Sequence, residues 1–176
     1  MTRRLTRILM LALTGFASIL IVAVPVQPGA TQWPMPDLLL MLCCYWVLRR
    51  PDCAPILVLF ALGLIADMIL MRPIGIGALT LVLITELLRA QIRTLRDTAF
   101  PLEWLTVAML VGIGMLLQMA LLWISLGTLP MPVEMAQYAG ITILSYPAVA
   151  LFCGGILGLR HRTSGKISYS NYLGEG

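Results

Sequence analysis

A chain of 176 residues that is 60% hydrophobic and only 11% charged, with a mean hydropathy of +0.94, is not built to dissolve in water. Soluble domains carry about 25% charged residues, and less than half that density leaves too little polar surface to cover a domain. The net charge of +4 and the pI near 9.1 do not signal nucleic acid, because the basic residues flank apolar segments instead of forming a stripe interleaved with aromatics. Beside membrane spans such residues serve topology and contact with anionic lipid.

Six apolar segments follow one another, which predicts an all-α polytopic membrane protein with six transmembrane helices. Residues 1–162 form the membrane domain, and the Ser-, Gly- and Tyr-rich stretch 163–176 is expected to be a disordered cytoplasmic tail. The first segment, Leu5 to Val24, follows Arg3 and Arg4. Its apolar run of about 20 residues exceeds a usual signal-peptide core and no A-x-A site follows, so a retained helix is expected. A loop with Pro25, Pro28, Pro34 and Pro36 comes next. The second segment, Asp37 to Leu48, would reach roughly 18 Å as a helix, short of a hydrocarbon core of about 30 Å. It is the weakest span.

The third segment, Pro55 to Met71, and the fourth, Pro73 to about Leu88, meet at Arg72-Pro73. Proline cannot continue the preceding helix, so this is a tight hairpin. The fifth runs from Pro101 to Ile124, with proline in the first turn where its missing N–H is harmless. The sixth, Val133 to Leu159, contains Pro147 and is expected to kink there. Of the 12 Lys and Arg residues, every one but Arg72 falls on one side of this arrangement. That skew places both termini in the cytoplasm and requires the short second segment to cross.

Ionisable groups inside spans are expensive and therefore informative. Asp67 lies near the C-terminal end of the third segment, where the macrodipole disfavours a carboxylate. It is expected to pair with Arg72 across the hairpin, to bond a neighbouring helix, or to contact a ligand or partner. Glu86 and Arg89 have the helical spacing of an ion pair. Asp37, Asp67, Gln118 and Gln137 fall at similar depth and make a candidate polar layer, serving as interhelical glue or lining a solute cavity. Asp37 is also placed to be a helix N-cap. Gly154 and Gly158 form a small-xxx-small pair for packing within the chain or against a partner. Gly75 and Gly77 suit close backbone approach after the hairpin.

Catalytic chemistry finds no foothold. The one histidine, His161, lies in the tail region, and no HExxH, GxSxG or P-loop pattern occurs. Cys43, Cys44, Cys53 and Cys153 have neither metal nor disulfide-framework spacing and read as reduced, apolar thiols. Neither an enzyme nor a cofactor is expected.

Residues 36–79 read PDLLLMLCCYWVLRRPDCAPILVLFALGLIADMILMRPIGIGAL. This order of P-D, Y-W-x-L, a nearby proline, G-L-x-x-D and P-x-G-x-x-A-L resembles the rod shape-determining protein MreD family. The matching positions are Pro36, Asp37, Tyr45, Trp46, Leu48, Pro51, Gly63, Leu64, Asp67, Pro73, Gly75, Ala78 and Leu79. They cover about a quarter of the chain; beyond Leu79 the similarity is one of hydropathy and segment order.

The resemblance implies a non-enzymatic inner-membrane component of the bacterial cell-elongation machinery that binds the bitopic protein MreC. Through MreC it implies connection to the filament protein MreB, to RodA and to the transpeptidase PBP2. It also implies a fold similar to the six-helix S components of energy-coupling-factor transporters. The competing reading is a small-molecule S component, supported by the candidate polar layer. Against it, the A-x-x-x-A coupling motif common on the first helix of that family is missing from Leu5 to Val24.

Overall fold

The computed structural model describes residues 2–24, 35–95, 100–126 and 131–155. Pro25, Pro28, Pro34, Arg96, Gly158, His161 and the predicted tail 163–176 lie outside the described residues. Within them the chain is all-helical: α1 (Thr2–Ala23), α2 (Leu38–Arg49), α3 (Ile56–Ile69), α4 (Ile76–Leu95), α5 (Phe100–Leu126) and α6 (Pro132–Gly155), with a single 3-10 turn at Pro51–Cys53. Three stretches, Arg4–Ala23, Phe100–Ser125 and Val133–Gly155, are long and apolar enough to cross a membrane. Helices α2 and α3 are apolar but shorter. The fourth helix starts later and ends later than the predicted Pro73 to Leu88, because the residues after Pro73 are used in the turn.

The short second helix proves to be the middle of the bundle. All ten residues from Leu39 to Leu48 are buried, and α1, α4 and α6 pack around them. A helix apolar on every side belongs inside; here Tyr45, Trp46 and two cysteines occupy the same core as the leucines. Its length needs no lipid-matching explanation, since its neighbours meet the surroundings in its place.

The other helices divide their residues between the two environments. On α1, Leu11 and Ile19 are buried, whereas Leu5, Leu9, Leu13 and Leu20 face outward. On α5, Val107 and Val111 are buried while Leu105, Met109 and Leu116 are exposed. Large apolar side chains exposed along successive turns suit lipid rather than water.

Helix α6 runs through Pro147. Proline there deprives the Ile143 carbonyl of its ordinary helical donor. The Trp104 indole N–H supplies the missing bond, donating to the Ile143 carbonyl at 3.0 Å. The proline thus creates an acceptor on α6 that α5 uses.

Candidate functional site

Polar side chains gather at the two ends of α2. At its start, Asp37 is the N-cap: Oδ1 accepts from the Leu40 N–H at 3.0 Å, satisfying a donor the helix cannot. Its Oδ2 accepts from the Tyr138 hydroxyl at 2.8 Å and lies 3.6 Å from the Arg72 guanidinium. The Asp37 N–H donates to Thr142 Oγ1 at 3.1 Å. Arg72 also donates to the Tyr138 hydroxyl at 3.4 Å and stands 5.7 Å from that ring's centroid, within cation–π reach. Burial alone would lower the Arg72 pKa, but Tyr138 and the Asp37 carboxylate outweigh it and the net shift is upward. One carboxylate therefore ties α2 to α6 and to the α3–α4 turn.

Asp67 sits in the last turn of α3 and is 1% exposed. Of the partners expected for it, the neighbouring helix is the one Asp67 takes, and no ion pair with Arg72 forms. The chain reverses so tightly that Asp67 meets the start of α4, where its Oδ2 accepts from the Gly75 N–H at 2.9 Å and the Ala78 N–H at 3.2 Å. A carboxylate disfavoured at the end of its own helix is favoured at the start of the next. With its carboxylate held by backbone donors, Arg72 turns to Asp37.

Backbone geometry fits that cap. The Arg72 N–H donates to the Asp67 carbonyl at 2.9 Å, with Met71 left-handed at φ 53°. This is a Schellman closure, with methionine where glycine is usual. A Cβ on Gly63 would lie 2.6 Å from Ala78 Cα, and one on Gly77 would lie 2.1 Å from Asp67 Oδ1. The glycines admit, respectively, the neighbouring helix and the carboxylate.

At the other end of α2, Arg49 and Glu103 form a buried pair at 3.1 Å, with side chains 9% and 2% exposed. Glu103 Oε1 accepts from the Tyr146 hydroxyl at 2.6 Å, and the Arg49 guanidinium lies 5.0 Å from the Tyr45 ring centroid. Glu103 occupies the first turn of α5, where the macrodipole favours a negative charge. Nearby, Arg4 donates to the Asp52 carbonyl at 3.1 Å and Arg89 to the Ala54 carbonyl. Arg89 also pairs with Glu86 at 3.5 Å, as their spacing implied.

A cavity of about 40 Å³ opens among α1 to α5 on the Asp37 side; Ser18, Asp37, Asp67, Arg72, Thr80 and Gln118 supply its polar lining. It gathers three of the four residues of the predicted polar layer. Gln137 is exposed on α6 and is not among the lining residues. Gly154 approaches α2, its would-be Cβ 3.1 Å from the Tyr45 hydroxyl, so it packs within the chain. Its motif partner Gly158 is outside the described residues.

The family model for rod shape-determining protein MreD matches residues 2–154. The chain belongs to the MreD family. No curated protein and no solved structure matches it. In this MreD-family chain the quoted motif maps onto the core helix and the hairpin. Pro36 accepts from the Leu38 N–H at 2.9 Å just ahead of α2, Tyr45 and Trp46 are core residues, and Pro51 opens the 3-10 turn. Gly63, Asp67, Pro73 and Gly75 shape the α3–α4 reversal. Sequence reasoning missed Tyr138, Tyr146 and Glu103. The signal available for Glu103 was a lone acid one turn after Phe100-Pro101 at the start of an otherwise apolar segment.

Proposed function

We propose that this MreD-family chain is a non-enzymatic scaffold or regulatory subunit of the bacterial cell-elongation machinery, placed in the inner membrane and binding MreC through its membrane helices. Contact with MreB, RodA and the transpeptidase PBP2 follows directly or through MreC. In this reading all six helices cross or insert, with both termini cytoplasmic. Support for that orientation comes from Arg4, Arg49 and Arg89 collecting around the Pro51–Cys53 turn while Arg72 sits at the opposite end of α2.

The observation carrying the reading is the division of labour between side chains. Asp37, Asp67, Arg72, Arg49 and Glu103 bond within the chain, while large apolar residues on α1, α3, α5 and α6 face outward. A partner then meets helix surface, where packing and lipid displacement drive association. The test is co-purification with MreC from native membranes together with depletion in a rod-shaped host. A stable complex and rounded cells are expected; normal rods and no complex would end this reading.

The alternative, a substrate-binding S component, draws on the cavity beside Asp37, Asp67 and Gln118. Its volume of about 40 Å³ counts against it, since small-molecule pockets usually span roughly 300–1,000 Å³. Thermal-shift screening with vitamins should give no saturable stabilisation. One that Asp67→Asn abolishes would favour the transporter reading.

A further inference from the structure

The cavity carries an inference that does not depend on the scaffold reading. Its polar lining is rich in hydrogen-bond acceptors. Ser18 has its hydroxyl proton committed to the Gly15 carbonyl at 2.7 Å, and Thr80 has its own committed to the Ile76 carbonyl at 2.8 Å. Both oxygens keep lone pairs and have no proton left to give. Asp67 engages the backbone through Oδ2, and among the described residues nothing donates to its Oδ1. That oxygen lies against the position a Cβ on Gly77 would fill, and Gly77 itself lines the cavity. The Gln118 amide, also in the lining, bonds to none of the described residues.

Among the described residues Arg72 is the one cation in the lining, and its guanidinium is engaged by Asp37 and Tyr138. Asp67 is 1% exposed, yet among the described residues nothing donates to half of its carboxylate. A carboxylate oxygen this far shielded from solvent and left without a donor is destabilising. A small donor would complete this lining. One water needs roughly 10–15 Å³ and two to four polar partners; about 40 Å³ with this lining suits two or three.

We propose that the cavity is an internal hydration site in which ordered water bridges Asp67 Oδ1 to Gln118. The waters complete the solvation of the Asp67 carboxylate where it caps α4. Glycine at position 77 preserves the space they and the carboxylate need.

Thermal unfolding of the full chain in detergent, comparing wild type with Gln118→Leu, tests this. Gln118 has no partner among the described residues, so hydration predicts that its loss lowers Tm by roughly 3–8 °C. An unchanged or raised Tm is the result of a dry cavity and overturns the proposal. Infrared spectra of the carboxylate, assigned by subtracting Asp67→Asn, give an independent reading. A carboxylate band that shifts in Gln118→Leu supports the bridge, whereas a band that Gln118→Leu leaves in place contradicts it. Repeating the unfolding in sodium chloride and choline chloride separates water from a bound cation. Equal Tm values agree with water; stabilisation by sodium that Gln118→Leu removes would replace water with a metal ion and overturn the assignment.

Discussion

The two ends of α2 solve the same problem by different means. At the Asp37 end, charge is held largely by backbone donors, a tyrosine hydroxyl and a partly exposed arginine. At the Arg49 end, a full ion pair is enclosed, with Glu103 2% exposed and Tyr146 donating to it. The first arrangement spreads its energy over several moderate hydrogen bonds, so losing one leaves the others. The second concentrates it in two charges that need each other, because an unpaired ion in the interior is far costlier than the pair is favourable.

That contrast orders the expected effects of substitution. Glu103→Leu should be the most damaging, by about 3–5 kcal/mol, since it strands Arg49; loss of folded protein from membranes, read by detergent-stability chromatography, checks it. Replacing both partners, as Arg49→Met with Glu103→Leu, should recover much of that loss. A double variant as unstable as the sum of its singles would show that the two side chains do not act as a pair.

Asp67→Leu at the other end should cost less, about 2–3 kcal/mol, by leaving the Gly75 and Ala78 N–H groups without an acceptor. It should still exceed Glu86→Gln, because the Glu86–Arg89 pair is about a third exposed and such pairs contribute about 0–1 kcal/mol. Equal thermal stability and equal complementation of the two variants would erase the distinction. The smallest effect has the opposite sign. Met71→Gly should stabilise by about 1 kcal/mol, because φ 53° strains any residue with a Cβ; a small rise in Tm is the readout.

Local features were legible in the sequence. Asp37 preceding an apolar run gave the cap of α2, Arg72-Pro73 gave the hairpin, and the spacing of Glu86 and Arg89 gave their pair. Each depends on residues a few positions apart. The Arg49–Glu103 and Glu103–Tyr146 contacts span 54 and 43 residues, and no periodicity reports on such distances. The charge skew alone places Arg49 at the end of a span; that its guanidinium folds over Tyr45 and pairs with Glu103 is visible only in the structure.

The central place of α2 was hidden for a related reason. Matching helix length to bilayer thickness presumes that a helix meets lipid, and a core helix does not. Its unbroken run of apolar and aromatic residues was the available clue. The sequence allows Asp67 a bond to a neighbouring helix, and it makes one; that the bond is a cap of α4 is not legible, because local spacing does not report that a side chain caps a helix other than its own. Seeing that requires knowing how closely Gly63 lets α3 approach Ala78.

The claim that polar groups serve internal bonding and that partners meet the apolar helix faces is tested most directly by photocrosslinking in living rod-shaped cells. A crosslinkable residue would be placed in turn at exposed positions such as Leu13, Leu57, Met109, Leu144 and Leu151. Adducts to MreC from successive turns of one helix face, with silence from the other faces, are the expected pattern. Adducts confined to connecting loops, or none from any helix face, would contradict it.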